Sequence, residues 1–295
     1  MNEPDSHRER LALSPTGRGD SLVKWTGSKR RTATQIVARF PRIIDTYFEP
    51  FLGGGAVLDA LLDSDIEVAR IECSDRCEPL IANWRLVHDD PRPLVEGYAE
   101  HWRRLCSEGA AHFDFVRQRF NETGDPILFF FLLRTCRLGH VRFNRRGEFN
   151  VGYHPANPAT PPERVRALAE RWHARLRSQD VSFSVRDYRE VHTLSYDVAY
   201  LDPPFATGEG RYYQCGFDHA GLYDWLRHQR GTCLLSLNGY LGDADRMLDV
   251  PPDLFDQHIL LDNGLNTFDC LGGESPRQVT ESLYVRIARI LSRTC

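Results

Sequence analysis

Lysine is nearly missing from this chain of 295 residues: of its 37 basic residues, 35 are arginine and two are lysine. No C-x-x-C occurs among the eight cysteines, at 73, 77, 106, 136, 215, 233, 270 and 295. That spacing argues against a zinc site and against a disulfide framework, so reduced thiols and no metal are the expectation. No run of 18 apolar residues exists, which predicts no transmembrane helix and no membrane partner. The first 20 residues lack an apolar h-region, which predicts no secretory signal; polar and aperiodic, they read as a disordered tail. Positive charge is not in surplus either, since 41 Asp and Glu against 37 Lys and Arg give a formal net charge of −4. A uniformly basic nucleic-acid coat is excluded, whereas a local basic face is not. Internal repeats and low-complexity segments are absent as well.

What is present is an ordinary globular composition, 41% hydrophobic and 26% charged, able to bury a core in one large domain or two modest ones. Both lysines fall in Lys24-Trp25-Thr26-Gly27-Ser28-Lys29. In a chain that uses arginine elsewhere, this marks a place that needs a compact ammonium rather than a planar guanidinium, with chance clustering as the plain alternative. The basic charge is also segregated. Arg134 to Arg177 holds ten Arg against three acids, a net of +7, and Arg18 to Arg42 holds seven basic residues against Asp20, a net of +6. One face can therefore meet a polyanion, unless it is simply a solvated surface in an arginine-rich protein.

From Ser28 onward Ala33, Ile36, Val37 and Phe40 fall at i, i+3, i+4 and i+7, a helical pattern that Pro41 ends. Ile43 to Phe48 reads as a strand running into the turn Glu49-Pro50-Phe51-Leu52-Gly53-Gly54-Gly55. Ala56 to Leu62 reads as a helix, Val68 to Cys73 as a strand ending at Ser74-Asp75, and Pro79 to Val87 as a helix. This alternation is the start of an open parallel sheet. Residues 88–160 break the rhythm with an aromatic-rich helical stretch around Tyr98 to Phe120, the apolar block Ile127 to Leu133 and a basic hairpin-like run, Arg142 to Asn150. Thr160-Pro161-Pro162-Glu163 reads as a capping box opening a helix through about Arg177. Strand candidates then follow at Val181 to Val185, Val198 to Leu201, Cys233 to Leu237, His258 to Leu261 and Ser282 to Ile290. The expected organisation is a tail (1–20), a first part of the sheet domain (21–87), an inserted domain (88–160) and a second part of the sheet domain (161–295).

Three motifs carry chemistry. In Phe48 to Val57 a strand meets glycines and then a helix, which lets a ligand approach the backbone at the carboxyl end of a parallel strand, although glycines in a turn are often only a turn. It is neither a P-loop nor a good G-x-G-x-x-G. Asp75, some 20 residues after the glycines, is placed either to accept hydrogen bonds from ribose hydroxyls or to cap a helix. Asp202-Pro203-Pro204-Phe205 follows the apolar strand Val198-Ala199-Tyr200-Leu201. Its prolines hold a carboxylate, a carbonyl and a ring in rigid relation. An amine on an aromatic ring is a poor nucleophile; two acceptors on its N–H bonds favour a more tetrahedral nitrogen while Phe205 stacks on the base. A Pro-Pro turn after a buried strand is the plain alternative.

Taken in order, Lys24 to Lys29, Glu49 to Gly55 and Asp202 to Phe205 resemble the Dam-type (D12 class) DNA adenine N6-methyltransferases, with the motif order of the alpha group. The resemblance covers about residues 22–290 and reaches Arg142-Phe143-Asn144-x-x-Gly147-Glu148-Phe149-Asn150-Val151, which is similar to the family's DNA-reading hairpin. It implies an α/β fold, the Rossmann-like methyltransferase sheet of seven strands with the last antiparallel, and an inserted, mainly helical target-recognition domain carrying a β-hairpin. It implies transfer of a methyl group from S-adenosylmethionine to N6 of an adenine flipped out of double-stranded DNA. The cofactor positions would be Trp25, Lys29, Glu49, Phe51, Gly53, Gly55, Asp75, Asp187 and Asp202. Asp202, Pro203, Pro204 and Phe205 would hold the target base. On the DNA, Arg142 would read a base edge, Arg145 and Arg146 would grip phosphates, Asn144 and Arg137 would lie at the interface, and Leu138 would wedge into the gap.

Two departures stand out. GATC-type relatives tend to carry a Tyr-Asn pair where this chain has Arg137-Leu138, so GATC is not the implied site. The fourth catalytic-motif position is Phe rather than the commoner Tyr, and both rings stack. The competing readings are methylation of cytosine N4, RNA or protein glutamine, and a non-catalytic DNA-binding protein on the same fold. A monomer in the cytoplasm of a prokaryote or phage host, associated with the nucleoid, with a restriction endonuclease as a potential partner, completes the expectation.

Overall fold

A computed structural model describes residues 21–154, 159–204, 217–265 and 275–288. The first sheet unit is α1 (Ala33–Val37), β1 (Ile43–Glu49), α2 (Ala56–Leu62), β2 (Glu67–Asp75) and α3 (Glu78–Asp89). Next come α4 (Arg92–Glu108), α5 (Ala110–Thr123) and α6 (Pro126–Thr135), then the basic hairpin, then α7 (Pro162–Leu176). The chain closes with β3 (Val181–Val185), β4 (Val198–Leu201), α8 (His219–Arg227), β5 (Thr232–Leu241), the short β6 (Ala244–Asp245), β7 (Gln257–Leu265) and β8 (Gln278–Arg286).

The strands form one sheet in the order β3-β2-β1-β4-β5-β8-β7, with β6 paired to β5 off this path. β3, β2, β1, β4 and β5 run parallel, and β8 is antiparallel to both β5 and β7. The expected seven-strand path with an antiparallel last strand is thus observed, with β6 added. All four residues of β4 are buried, as a central parallel strand covered on both faces requires. Alternate residues serve opposite faces: Val198 and Tyr200 join the larger apolar cluster, Ala199 and Leu201 the smaller one under α8. Strand order reverses between β1 and β4, and a crevice opens at their carboxyl ends.

The inserted helices are built from strong local signals. Asp125 caps α6 by accepting the N–H groups of Ile127 and Leu128, at 2.7 and 3.2 Å, with Pro126 in the first turn. Phe129 to Leu133 are fully buried and belong to the same cluster as Ile44 and Tyr47 of β1, so apolar packing is continuous from the insertion to the sheet.

Several sequence expectations need correction. The helix read from Ser28 is shorter, since residues 30–32 form a turn and α1 covers only Ala33–Val37. The stretch from Tyr98 to Phe120 is two helices, broken at Gly109, whose φ of +60° suits glycine. The capping box at Thr160 does not form. Pro162 disfavours helical geometry at Pro161, so Pro161 becomes the cap and has no side-chain bond to give. The carbonyl of Thr160 instead accepts the Tyr98 hydroxyl at 2.7 Å. A capping box is present elsewhere, at Asp187 and Glu190.

Candidate active site

Four parallel strands end on, or just before, an acid. Glu49 closes β1, Asp75 closes β2, Asp187 follows β3 and Asp202 follows β4. All four line one cleft of about 1260 Å³. The other predicted cofactor residues, Trp25, Lys29, Phe51, Gly53 and Gly55, line the same cleft, as do Pro203 and Pro204. Phe205 lies outside the described residues. Asn144 and Arg145 of the hairpin reach the cleft, whereas Arg137, Arg142 and Arg146 are not among its lining residues; the Leu138 side chain lies outside what is described.

The centre of the cleft is an ion-pair cluster. Lys29, 2% exposed, donates to the Gly27 carbonyl at 3.0 Å and meets Asp202 Oδ1 at 2.8 Å and Glu281 Oε1 at 3.7 Å. Burial disfavours its ammonium, but the two carboxylates outweigh that and hold its pKa above the ordinary value. Burial holds Asp202 above the usual carboxylate range, with Lys29 pulling it down. Glu281 is likewise raised, burial outweighing Lys29. Glu49 accepts the Tyr47 hydroxyl at 2.8 Å, and burial pushes its carboxyl up to about 8.

Asp75 joins two segments. One oxygen accepts the N–H of Gly53 at 3.2 Å and the other that of Cys77 at 3.0 Å. The helix-cap alternative for Asp75 is not what forms, because Cys77 is the cap of α3. Asp187 is held by Arg189 and lies below the usual carboxylate range for that reason. Phe51 stacks on Tyr188 at 5.4 Å and meets Phe217 edge-on at 5.7 Å, an aromatic wall beside these acids.

The glycines serve packing as well as access. A Cβ on Gly53, whose φ is +48°, would stand 2.7 Å from Trp25 Cδ1, and one on Gly55 would stand 2.9 Å from Trp84. Trp84 Nε1 donates to the Gly53 carbonyl at 3.1 Å. The turn is therefore clamped between two indoles.

The hairpin is a tight, self-bonded turn. Asn144 Oδ1 accepts the N–H groups of Arg146 and Glu148, at 2.9 and 3.0 Å, and Phe143 bridges Phe149. Arg142 Nε donates to Asn150 Oδ1 at 2.7 Å, while Arg145 and Arg146 are exposed. Asn121 of α5 anchors it, exchanging hydrogen bonds with the Phe149 backbone at 2.8 and 3.1 Å.

Glu281 and Asn121 escaped the sequence reading. The last strand was expected to begin at Ser282; it begins at Gln278, which places Glu281 inside it. An acid abutting an apolar strand was the available signal. Asn121 carries no local signal, since its partner is 28 residues away.

Comparison with known proteins identifies the family. The family model described as D12 class N6 adenine-specific DNA methyltransferase matches residues 25–223. The DNA adenine methylase of Escherichia coli (strain K12) is 29% identical over 192 residues, 63% of this chain and 65% of that protein. The type II methyltransferase M.MjaIII of Methanocaldococcus jannaschii is 34% identical over 148 residues, 45% of this chain and 51% of that protein. The chain thus spans about half to two thirds of the length of these relatives. Among solved structures, the rRNA methyltransferase aviRa from Streptomyces viridochromogenes gives a TM-score of 0.39 at 16% identity, covering 93% of this chain and 88% of that one. With the match running from Trp25 through the glycine turn and past Asp202, the chain belongs to the D12 class of N6 adenine-specific DNA methyltransferases.

Proposed function

We propose that this protein transfers a methyl group from S-adenosylmethionine to the N6 amino group of adenine in double-stranded DNA. The observation that carries the reading is Asp202-Pro203-Pro204 at the end of β4, in one cleft with the glycine turn and the basic hairpin. The cofactor fits the donor set. It is a sulfonium that also bears an amino group, hydroxyls and an adenine, and the cleft offers carboxylates at four strand ends with one buried lysine among them. When bound there it supplies an electrophilic methyl group. Asp75 and Asp187 are placed for ribose and adenine polar atoms, and Phe51 with Tyr188 offers a flat apolar face.

The residues of the chain do the rest. Asp202 and the backbone carbonyl beside it accept the two N–H bonds of the target amine, which localises its lone pair. Lys29 holds the carboxylate in place. Because the adenine begins inside a duplex, it must be flipped out at a cost of a few kcal/mol. The insertion offsets this: Arg145 and Arg146, exposed at the hairpin tip, suit phosphates, and Arg142 suits a guanine edge. No helix among the described residues is long and apolar enough to cross a membrane; the cytoplasm, at the nucleoid, is the location this reading entails.

The test is expression in a host that lacks adenine methylation, followed by digestion of host DNA to nucleosides and mass spectrometry. N6-methyladenine that disappears with Asp202→Ala is the expected result. Soluble protein that binds S-adenosylmethionine yet leaves DNA unmodified would redirect the reading to RNA or protein, and absence of cofactor binding would leave a DNA-binding relic.

A further inference from the structure

Lys29 is the buried cation of the cleft, and its contacts are shared between two strands that the sequence keeps far apart. Asp202 follows β4, whereas Glu281 lies in β8, directly across from Asn238 of β5 and Leu261 of β7. An ammonium has three donors. Here the ammonium reaches the Gly27 carbonyl at 3.0 Å and Asp202 at 2.8 Å, with Glu281 at 3.7 Å as a second ion-pair partner. Glu281 is fixed in turn, since Asn263 Nδ2 donates to its Oε1 at 2.9 Å. The backbone around Asn263 is tied to the same loop as Lys29, because Arg31 Nη1 donates to the Asn263 carbonyl at 2.7 Å.

We propose that Glu281 is a positioning residue for the methyl transfer, holding the Lys29 ammonium against Asp202 so that the carboxylate stays oriented toward the target amine. This rests on the proposed adenine methylation. A carboxylate has about four acceptor positions. With one taken by the ammonium, Asp202, which is 20% exposed, keeps acceptors for an amine in the cleft. Without Glu281 the lysine loses its ion-pair partner on β8. The other titratable groups facing this cluster are Glu49 of β1 and Tyr200 of β4, the latter bonded to Ser236 of β5 at 2.9 Å.

Scarcity of lysine makes a direct experiment feasible. Protein grown with lysine labelled at Cε gives two side-chain signals, and Lys24→Arg assigns them. The Lys29 signal is followed against pH in wild type, Glu281→Gln and Glu281→Asp. In parallel, kcat and KM are measured on DNA from a methylation-deficient host. With one of its two counter-charges removed, Lys29 in Glu281→Gln should titrate at lower pH than in wild type. Turnover should fall on the order of 10²-fold, as for an Å-scale misplacement, with KM for DNA little changed. Glu281→Asp, which keeps the charge and loses reach, should fall between; it also serves if Glu281→Gln does not fold. A folded Glu281 variant with an unmoved Lys29 titration and wild-type turnover overturns the proposal. So does a loss of turnover that tracks only lost stability, with Lys29 unmoved. If wild type shows no methylation, the proposed activity fails instead, and the Lys29 titration still reports whether Glu281 holds the ammonium.

Discussion

Replacing Glu49 by glutamine should stabilise the protein at alkaline pH and change little at pH 5. The side chain closes β1 and is 2% exposed. Burial lifts its carboxyl from 4.5 to about 8; the Tyr47 hydroxyl opposes this, and the charge on Asp202 adds to it. A carboxyl raised on folding binds its proton more tightly in the native state. Native stability is therefore untouched below the unfolded pKa and declines as pH rises toward the folded one. Between 4.5 and about 8, at about 1.4 kcal/mol per pH unit, the loss amounts to about 5 kcal/mol. Glutamine cannot ionise, and it keeps an oxygen for the Tyr47 hydroxyl. Urea unfolding at pH 5, 7 and 9 should show the variant gaining on wild type by several kcal/mol across that range. Parallel pH profiles for the two proteins would refute the argument.

Three other outcomes are expected. Lys29→Met leaves Asp202 and Glu281 buried without their shared ammonium, which should cost about 3–5 kcal/mol at pH 8; at pH 5 the loss should be smaller, since both carboxyls are already raised and can take up protons. Denaturant titration at both pH values checks it. Gly53→Ala places a Cβ 2.7 Å from Trp25 Cδ1 at a φ of +48°; a loss of about 2–4 kcal/mol, with weaker cofactor binding by calorimetry, is expected. Arg142→Ala should relax sequence preference, whereas Arg145→Ala should weaken binding to every sequence and reduce its salt dependence; equal losses on cognate and mismatched duplexes for both variants would remove the distinction.

Much of the sheet was legible because its signals are local. β3 and β4 fall where Val181 to Val185 and Val198 to Leu201 read as strands, and α2 falls where Ala56 to Leu62 reads as helix. The failures have local and distant causes. The glycine turn lines the cleft and also packs against Trp25 and Trp84, contacts that only the fold brings near. Thr160 carried a capping pattern, but the double proline shifted the helix start by one residue. Glu281 lay at the margin of a strand whose true start depends on pairing with β5 and β7.

The scarce-lysine segment makes sense once its contacts are traced. Thr26 accepts the Val141 N–H at 3.0 Å and so meets the insertion just before the hairpin. Lys29 meets Asp202 and Glu281, and Arg31 meets the Asn263 carbonyl. One short loop therefore touches the inserted segment, the Asp202-Pro203-Pro204 motif and the β7–β8 pair. Arg134, 2% exposed, reinforces the junction by donating to the carbonyls of Ser21 and Leu22 at 2.7 and 2.6 Å. At Arg134 one guanidinium nitrogen, Nη1, reaches both carbonyls. At position 29 the acceptors converge on one point from three directions, which suits an ammonium. A compact ammonium suits that arrangement better than a planar guanidinium, which is why Lys29→Arg should not restore what Lys29→Met removes.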